Sequence, residues 1–242
     1  MRGSTQVGLQ QERAIRTRRL MLKSAAEVFD REDYASARLS DISARANMST
    51  GALHFHFANK EELAEAVVSE ARGTLWHAAR SAYERNPEPL QALTDISHTL
   101  SQLLSWDVVA RAGLRLDNDR SRRGREQFLH AWHAAVQRLL DRARREGSLA
   151  QQVHLRAVTC AIVAATTGIG VLIKGGEAER TRLAFTGFWQ GFLPGLAAPD
   201  LLGRLNPGGT DEVVEYAVSA SRYLPCAPDE ALGAERAASG VY

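Results

Sequence analysis

Apolar residues recur at three- and four-residue intervals along most of the chain, and no stretch alternates apolar and polar positions as a half-buried strand would. The pattern predicts an all-α protein. Residues 1–10 carry no such stripe and are expected to be disordered. From about Glu12 to Arg31, the positions Ile15, Leu22, Ala25, Ala26 and Phe29, with Met21 and Val28 beside them, make a helix with one buried face. Asp33 then sits where a helix C-terminal turn commonly takes glycine, and Asp is a tolerable substitute there.

Between Arg38 and Leu63 the pattern tightens into two short helices around a turn. Leu39, Ile42 and Ala46 fall on one side of a helix of about two turns. Asn47 ends it, being one of the few non-glycine residues that accepts the left-handed conformation just past a helix end. Ser49 is a suitable N-cap for the second helix. There Leu53 and Phe57 lie one turn apart and can pack, with Met48 of the turn, onto Leu39 and Ile42. Thr50, Gly51 and His54 are left on the opposite face. Such a pair is a helix-turn-helix, whose second helix can enter a DNA major groove by its N-terminal residues. Spacing alone also fits an ordinary pair of packed helices.

A long helix is predicted from about Lys60 to Glu84, with Leu63, Val67, Ala71, Leu75, Ala78 and Ala82 as its stripe, until Asn86-Pro87-Glu88-Pro89 stops it. Helical patterns follow at Leu90 to Leu104 and Asp107 to Leu116. A charged loop spans 117–125, and a helix from Glu126 to Glu146 ends at Gly147 with arginines in its last turn. Val153 to Ile173 is apolar on nearly all sides, with Ala161, Ala164, Ala165, Gly168 and Gly170 among larger residues, as in a central core helix or a subunit interface. Glu177 to Leu193 carries Leu183, Phe185, Phe188, Trp189 and Phe192, more bulk than one solvent-exposed helix should show. These two helices read as the self-association surface of an isologous homodimer. After Pro194-Gly195 the composition loosens. Thr210 to Tyr223 can form one more helix, and the rest reads as tail. The expected division is 1–60 for DNA reading, 61–195 for ligand binding and dimerisation, and 196–242 as an extension.

Composition narrows the setting. A chain of 242 residues that is 45% hydrophobic and 24% charged can bury a substantial core. No apolar run approaches the roughly 18 residues of a membrane span, and no signal-peptide core follows the N-terminus, so a cytoplasmic protein without membrane contact is expected. Cys160 and Cys226 suit a reducing compartment. The net charge of +2 is uninformative, but residues 1–23 hold six basic side chains against Glu12 alone, an arm suited to phosphate contacts.

The run Thr50-Gly51-Ala52-Leu53-His54-Phe55-His56-Phe57, followed by Asn59-Lys60-Glu61-Glu62-Leu63, resembles the recognition-helix signature of TetR-family transcriptional repressors. That signature commonly runs Lys-Gly-x-x-Tyr-x-His-Phe and then x-x-Lys-Glu-x-Leu. Val109-Ala110-Arg111-Ala112-Gly113-Leu114-Arg115-Leu116 looks like the family's γ-butyrolactone receptor subgroup. So does Trp132 followed by Leu139-Leu140-Asp141 and Arg145-Glu146-Gly147-Ser148-Leu149. The resemblance implies a three-helix DNA-binding domain joined by a fourth helix to a ligand-binding and dimerisation domain. It makes Arg38, Ser49, Thr50, Gly51, His54, His56 and Lys60 the DNA-binding candidates, and a double-stranded operator the partner. Three positions depart from the pattern: Thr50 replaces the usual Lys, His54 the usual Tyr, and Arg38 a helix-capping Thr. They put the preferred operator in question.

Trp132 aligns with the tryptophan that the subgroup uses to cover its ligand, with Phe128 and Val136 one turn to either side. Thr166 looks like the hydroxyl that can hydrogen-bond that ligand. Trp106 and Trp76 are weaker candidates, for which packing is the simpler account. The implied effector is a γ-butyrolactone, a butenolide or furan relative, or an antibiotic, and the implied mechanism is release of DNA on binding it, with the helix from Lys60 to Glu84 as lever. No cofactor is implied. His54 with His56, and His130 with His133, lack Cys or acidic partners at metal-ligand spacing, and no nucleophile elbow or phosphate-binding glycine loop is present. An enzyme is therefore disfavoured. A helical interaction protein of the same fold that has lost DNA binding is the alternative that Thr50 and His54 raise.

Overall fold

The computed structural model describes residues 3–122, 127–172 and 177–222, and among these the fold is entirely helical, with one isolated bridge between Leu149 and Ala197. In chain order the helices are α1 (Gly3–Arg31), α2 (Leu39–Arg45), α3 (Thr50–His56), α4 (Lys60–Arg85), α5 (Pro89–Trp106), α6 (Val108–Asp117), α7 (Gln127–Arg145), α8 (Leu155–Leu172), α9 (Ala178–Leu196), α10 (Pro199–Leu202) and α11 (Asp211–Arg222). A 3₁₀ turn, Arg120–Arg122, follows α6. The expected tail lies outside the described residues.

Three boundaries differ from expectation. Helix α1 begins at Gly3, so residues 3–10 are helical; the segment contains no proline, and extending an existing helix is far easier than nucleating one. Asp33 does not take the left-handed conformation, since Asn47 at φ 53° is the only described non-glycine residue with positive φ. The Asp33 carbonyl instead accepts the amides of Ser36 and Ala37 in a turn. Helix α9 runs through Pro194 to Leu196, because Leu193 and Leu196 are both buried and the Ala197 amide bonds the Leu193 carbonyl at 2.9 Å.

Two cores organise the packing. Met21, Leu22, Ala25 and Phe29 of α1 meet Ile42, Leu53, Phe57, Leu63 and Val67, and this core also takes in Ala112 and Leu116 of α6. The larger core joins Leu93 and Ile96 of α5, Val136 and Leu140 of α7, Ile162 of α8, Trp189 and Leu193 of α9 and Ala217 of α11. The first core thus takes in Leu63 and Val67 of α4, and α11 packs into the second core. Helices α4 and α6 touch so closely that a Cβ on Gly113 would lie 2.2 Å from the Ala71 Cβ and 3.1 Å from the Val67 carbonyl oxygen. Phe185, Trp189 and Leu193 point into the chain's own core, so α9 is less of a free surface than its bulk suggests. Leu183 is 65% exposed, and α8 leaves Ala157, Cys160, Ala161 and Ala164 outside.

A buried polar cluster fastens α11. The Asp95 carboxylate, fully buried, accepts from Asn86 Nδ2, Gln91 Nε2 and the Thr210 amide at 3.1, 2.9 and 2.7 Å. Gln91 also pairs with the Asn206 backbone, and His98 Nε2 lies 2.9 Å from the Pro207 carbonyl. Gly209 (φ 77°) lets the loop close over the imidazole. Burial lowers the His98 pKa, against the opposing pull of Pro207 and Asp95. The unfolded chain thus takes up a proton, as pH falls through about 6.5, that the folded chain refuses. Stability is expected to fall as pH drops below about 6.5, and His98→Gln, which keeps a donor for Pro207, to flatten that slope in thermal melts.

Candidate nucleic-acid interface and ligand pocket

The reading unit follows from its caps. Asn47 turns the chain after α2, and the Met48 amide bonds the Ser43 carbonyl at 3.0 Å. Ser49 then caps α3 by accepting the Ala52 amide at 3.1 Å, a contribution of about 1 kcal/mol. Arg38 stands at the α2 N-cap without a capping side-chain bond and is exposed. Leu53 and Phe57 are sealed on the inner face of α3.

Thr50 has a partner. Ser43 Oγ donates to the Ser40 carbonyl, so its 3.2 Å contact with Thr50 Oγ1 is made with the threonine proton. Thr50 thus ties α3 to α2. Gly51 has no neighbour nearer to a would-be Cβ than Ser49 Oγ at 3.9 Å, so the first turn of α3 presents open backbone. His54 is exposed and His56 half-buried. Between them Phe55 is 86% exposed, its ring edge-on to His56 at 5.4 Å. Sequence reasoning passed over Phe55, although a residue two places from both Leu53 and Phe57 lies about 200° around the helix from each.

Lys60 points inward. Its ammonium donates to the carbonyls of Tyr34 at 2.8 Å, Ala35 at 3.3 Å and Ala37 at 2.9 Å, and sits 4.5 Å from the centre of the Tyr34 ring. All three of its protons are engaged. Lys60 therefore shapes the loop that leads into α2. On α1, Arg13, Arg16, Arg19 and Lys23 are exposed.

In the second domain, Trp132 Nε1 donates to Thr166 Oγ1 at 2.8 Å, and Thr166 donates to the Ile162 carbonyl at 2.7 Å. The structure thus joins the two expected ligand contacts to each other across α7 and α8. Val136, one turn along α7, is fully buried beside them in the larger core. Phe128, one turn the other way, packs against the reading-unit core and against the small cluster of Leu75, Ala78, Leu103 and Ala110. Trp106 is not brought to this group. It ends α5 and is 41% exposed, because α5 stops at Asp107, which caps α6.

A helix-turn-helix unit, continuous through a 26-residue helix with a larger all-helical body that holds an indole–hydroxyl pair, is the build of a DNA-binding regulator. Residues 21–67 match the family described as bacterial regulatory proteins, tetR family. The A-factor receptor protein of Streptomyces griseus is 32% identical over 211 residues, spanning 86% of this chain and 73% of that protein. A crystal structure of a γ-butyrolactone receptor (ArpA-like protein) superposes with a TM-score of 0.67 at 26% identity, covering 88% of this chain and all of the other. The TetR-family protein CprB of Streptomyces coelicolor, in complex with its operator sequence, gives 0.67 at 27% identity over 88% of this chain and 100% of that one. The chain belongs to the TetR family, in its γ-butyrolactone autoregulator receptor group. It is a ligand-responsive, DNA-binding transcriptional repressor. No helix among the described residues is long and apolar enough to cross a membrane.

Proposed function

We infer that the protein works in the cytoplasm as a homodimeric repressor of secondary-metabolite genes, binds a pseudo-palindromic operator, and leaves it when a γ-butyrolactone or related autoregulator enters between α7 and α8. The observation that carries this reading is α3, sealed by Leu53 and Phe57 on one side and open at Thr50, Gly51, His54 and Phe55 on the other. Ser49, Gly51, His54, Phe55 and His56 supply the groove face, Arg38 reaches the backbone phosphates, and Lys60 supports the unit from behind. Paired recognition helices must stand about 34 Å apart to engage successive major grooves. An effector that prefers another separation depopulates the DNA-competent state, and a coupling of about 1–3 kcal/mol changes affinity about 5- to 150-fold. Function is binding throughout, with no reaction catalysed.

At the pocket, the effector competes with the protein for one hydroxyl. A donor on the ligand takes the remaining lone pair of Thr166 Oγ1, which already accepts from Trp132 and donates to Ile162. Thr166→Val removes this partner. Fluorescence anisotropy of a duplex from just upstream of the gene, titrated with culture extract, is expected to show operator affinity unchanged and about tenfold more extract needed for half release, the effect of one lost hydrogen bond near 1.4 kcal/mol. For the parent chain, log affinity falls linearly with log salt and extract abolishes binding. A salt-insensitive complex, or one that ignores a ligand shown to quench Trp132 fluorescence, overturns the reading.

A further inference from the structure

The charged stretch after α6, expected to be a loop, sends Arg122 inward, with its side chain 4% exposed. Nη2 lies 2.8 Å from Glu61 Oε1 and 3.6 Å from Glu65 Oε2, and Nη1 donates to the Leu116 carbonyl at 2.9 Å. The guanidinium stands 5.1 Å from the centre of the Tyr34 ring. Tyr34 donates its hydroxyl to Glu61 Oε2 at 2.6 Å, and Lys60 holds the carbonyls of Tyr34, Ala35 and Ala37. Burial and then the Glu61 carboxylate push the Tyr34 pKa up to about 12, so the phenol stays a donor.

Each partner of this cluster belongs to a different part of the molecule. Glu61 and Glu65 open α4, Tyr34 lies in the loop between α1 and α2, and Arg122 comes from the connection between α6 and the pocket helix α7. On the pocket side, the buried Asp117 accepts the Phe128 amide through Oδ2 at 2.9 Å, which caps the first turn of α7 one turn before Trp132. At the other end of α6, Arg111 Nε and Nη2 both reach Asp30 Oδ2, at 3.0 and 2.9 Å, while Nη1 donates to the Leu104 carbonyl at 3.0 Å.

We propose that Arg122 is the joint through which the pocket domain holds the reading unit in place, tying the start of α7 to the 34–37 loop and the start of α4. A buried guanidinium left without its carboxylate is costly, and a fork of donors shared among Glu61, Leu116 and the Tyr34 face has few arrangements that satisfy all of them. The joint therefore holds in one geometry or opens. A displacement of the first turn of α7 by an effector reaches Arg122 through Asp117 and Leu116. It reaches the recognition helix through the loop that Lys60 closes. Arg122 is thus a positioning residue for DNA binding, and that consequence rests on the repressor reading, whereas the joint itself does not.

Hydrogen–deuterium exchange on the free full-length chain tests the joint without DNA. In Arg122→Gln, amides of 33–38, α2 and α3 are expected to exchange about tenfold faster, while those of α8 and α9 keep their rates. Arg122→Lys, which keeps the charge and loses the fork, shows a smaller change of the same pattern and serves alone if the glutamine variant does not fold. Affinity for the upstream duplex falls about tenfold with the salt slope intact, because positioning is lost and no phosphate contact is. Unchanged exchange in 33–38 overturns the proposal. So does a salt slope reduced by about one with unchanged exchange, which makes Arg122 a phosphate contact. If the parent chain binds no upstream duplex, the repressor reading falls, while the exchange pattern still decides the joint.

Discussion

Gly113→Ala is expected to melt well below the parent chain and to lose operator binding in proportion. The added methyl meets the Ala71 Cβ at 2.2 Å and the Val67 carbonyl oxygen at 3.1 Å, and neither neighbour is the movable end of a long side chain. The helices must part instead, and overpacking of this kind costs about 1–3 kcal/mol or somewhat more. For a chain of this size each kcal/mol lowers the melting temperature by about 2–4 °C, so a fall of about 2–12 °C is expected by circular dichroism. Separating α6 from α4 also displaces Arg111 from Asp30 and Arg122 from Glu61, so DNA affinity suffers beyond the loss of folded protein. Gly73→Ala on the same α4 is the control, since a Cβ there has no neighbour within 4 Å. It should gain about 0.5–1 kcal/mol from the better helix former. Equal melting of Gly113→Ala and the parent chain would mean that α4 and α6 do not cross at backbone contact.

Elements and reading unit were legible because their determinants are local. A helical stripe declares itself within a few turns, as α4 and α7 did, and Asn47 and Ser49 announce a turn and a cap through properties of their own backbone and side chain. Trp132 and Thr166 came from resemblance, and geometry then joined them. What stayed hidden was set by tertiary surroundings. Lys60 sits in a motif that suggests phosphate, yet the 34–37 loop places three carbonyls within its reach. Arg122 sits in a charged loop, where nothing local singles it out from its neighbours, and its burial comes from the Glu61 and Leu116 groups packed against it. The buried Gln91, Asp95 and His98 lie on α5, and their remote partners Asn206, Pro207 and Thr210 come from the loop that leads into α11 more than 100 residues away. Residues 3–10 are helical without a stripe of their own, because a stripe-free segment can still extend a helix whose nucleus lies further along.

Gly51→Glu is expected to abolish operator binding while leaving the fold intact. A Cβ at Gly51 meets nothing nearer than Ser49 Oγ at 3.9 Å and the position is exposed, so a side chain there can extend into solvent, and replacing a helical glycine stabilises the helix slightly. A carboxylate near a helix N-terminus is also favoured by the helix dipole, so the melting temperature should hold or rise. At the DNA the same change acts twice. It puts bulk where the backbone of α3 must approach the groove, and it sets a negative charge against phosphates and base acceptors. Loss of one good base contact costs about 1–3 kcal/mol, and an added like-charge clash takes the total past about 4 kcal/mol, or roughly a thousandfold in affinity. Anisotropy with the upstream duplex should thus show only weak binding at any salt, with an unaltered far-ultraviolet spectrum. Gly51→Ala separates the two terms, since it adds little bulk and no charge and should weaken binding about tenfold at most. Retained operator affinity in Gly51→Glu would place the DNA on a face other than the N-terminal turn of α3, and Arg13, Arg16 and Arg19 of α1 would become the next residues to replace.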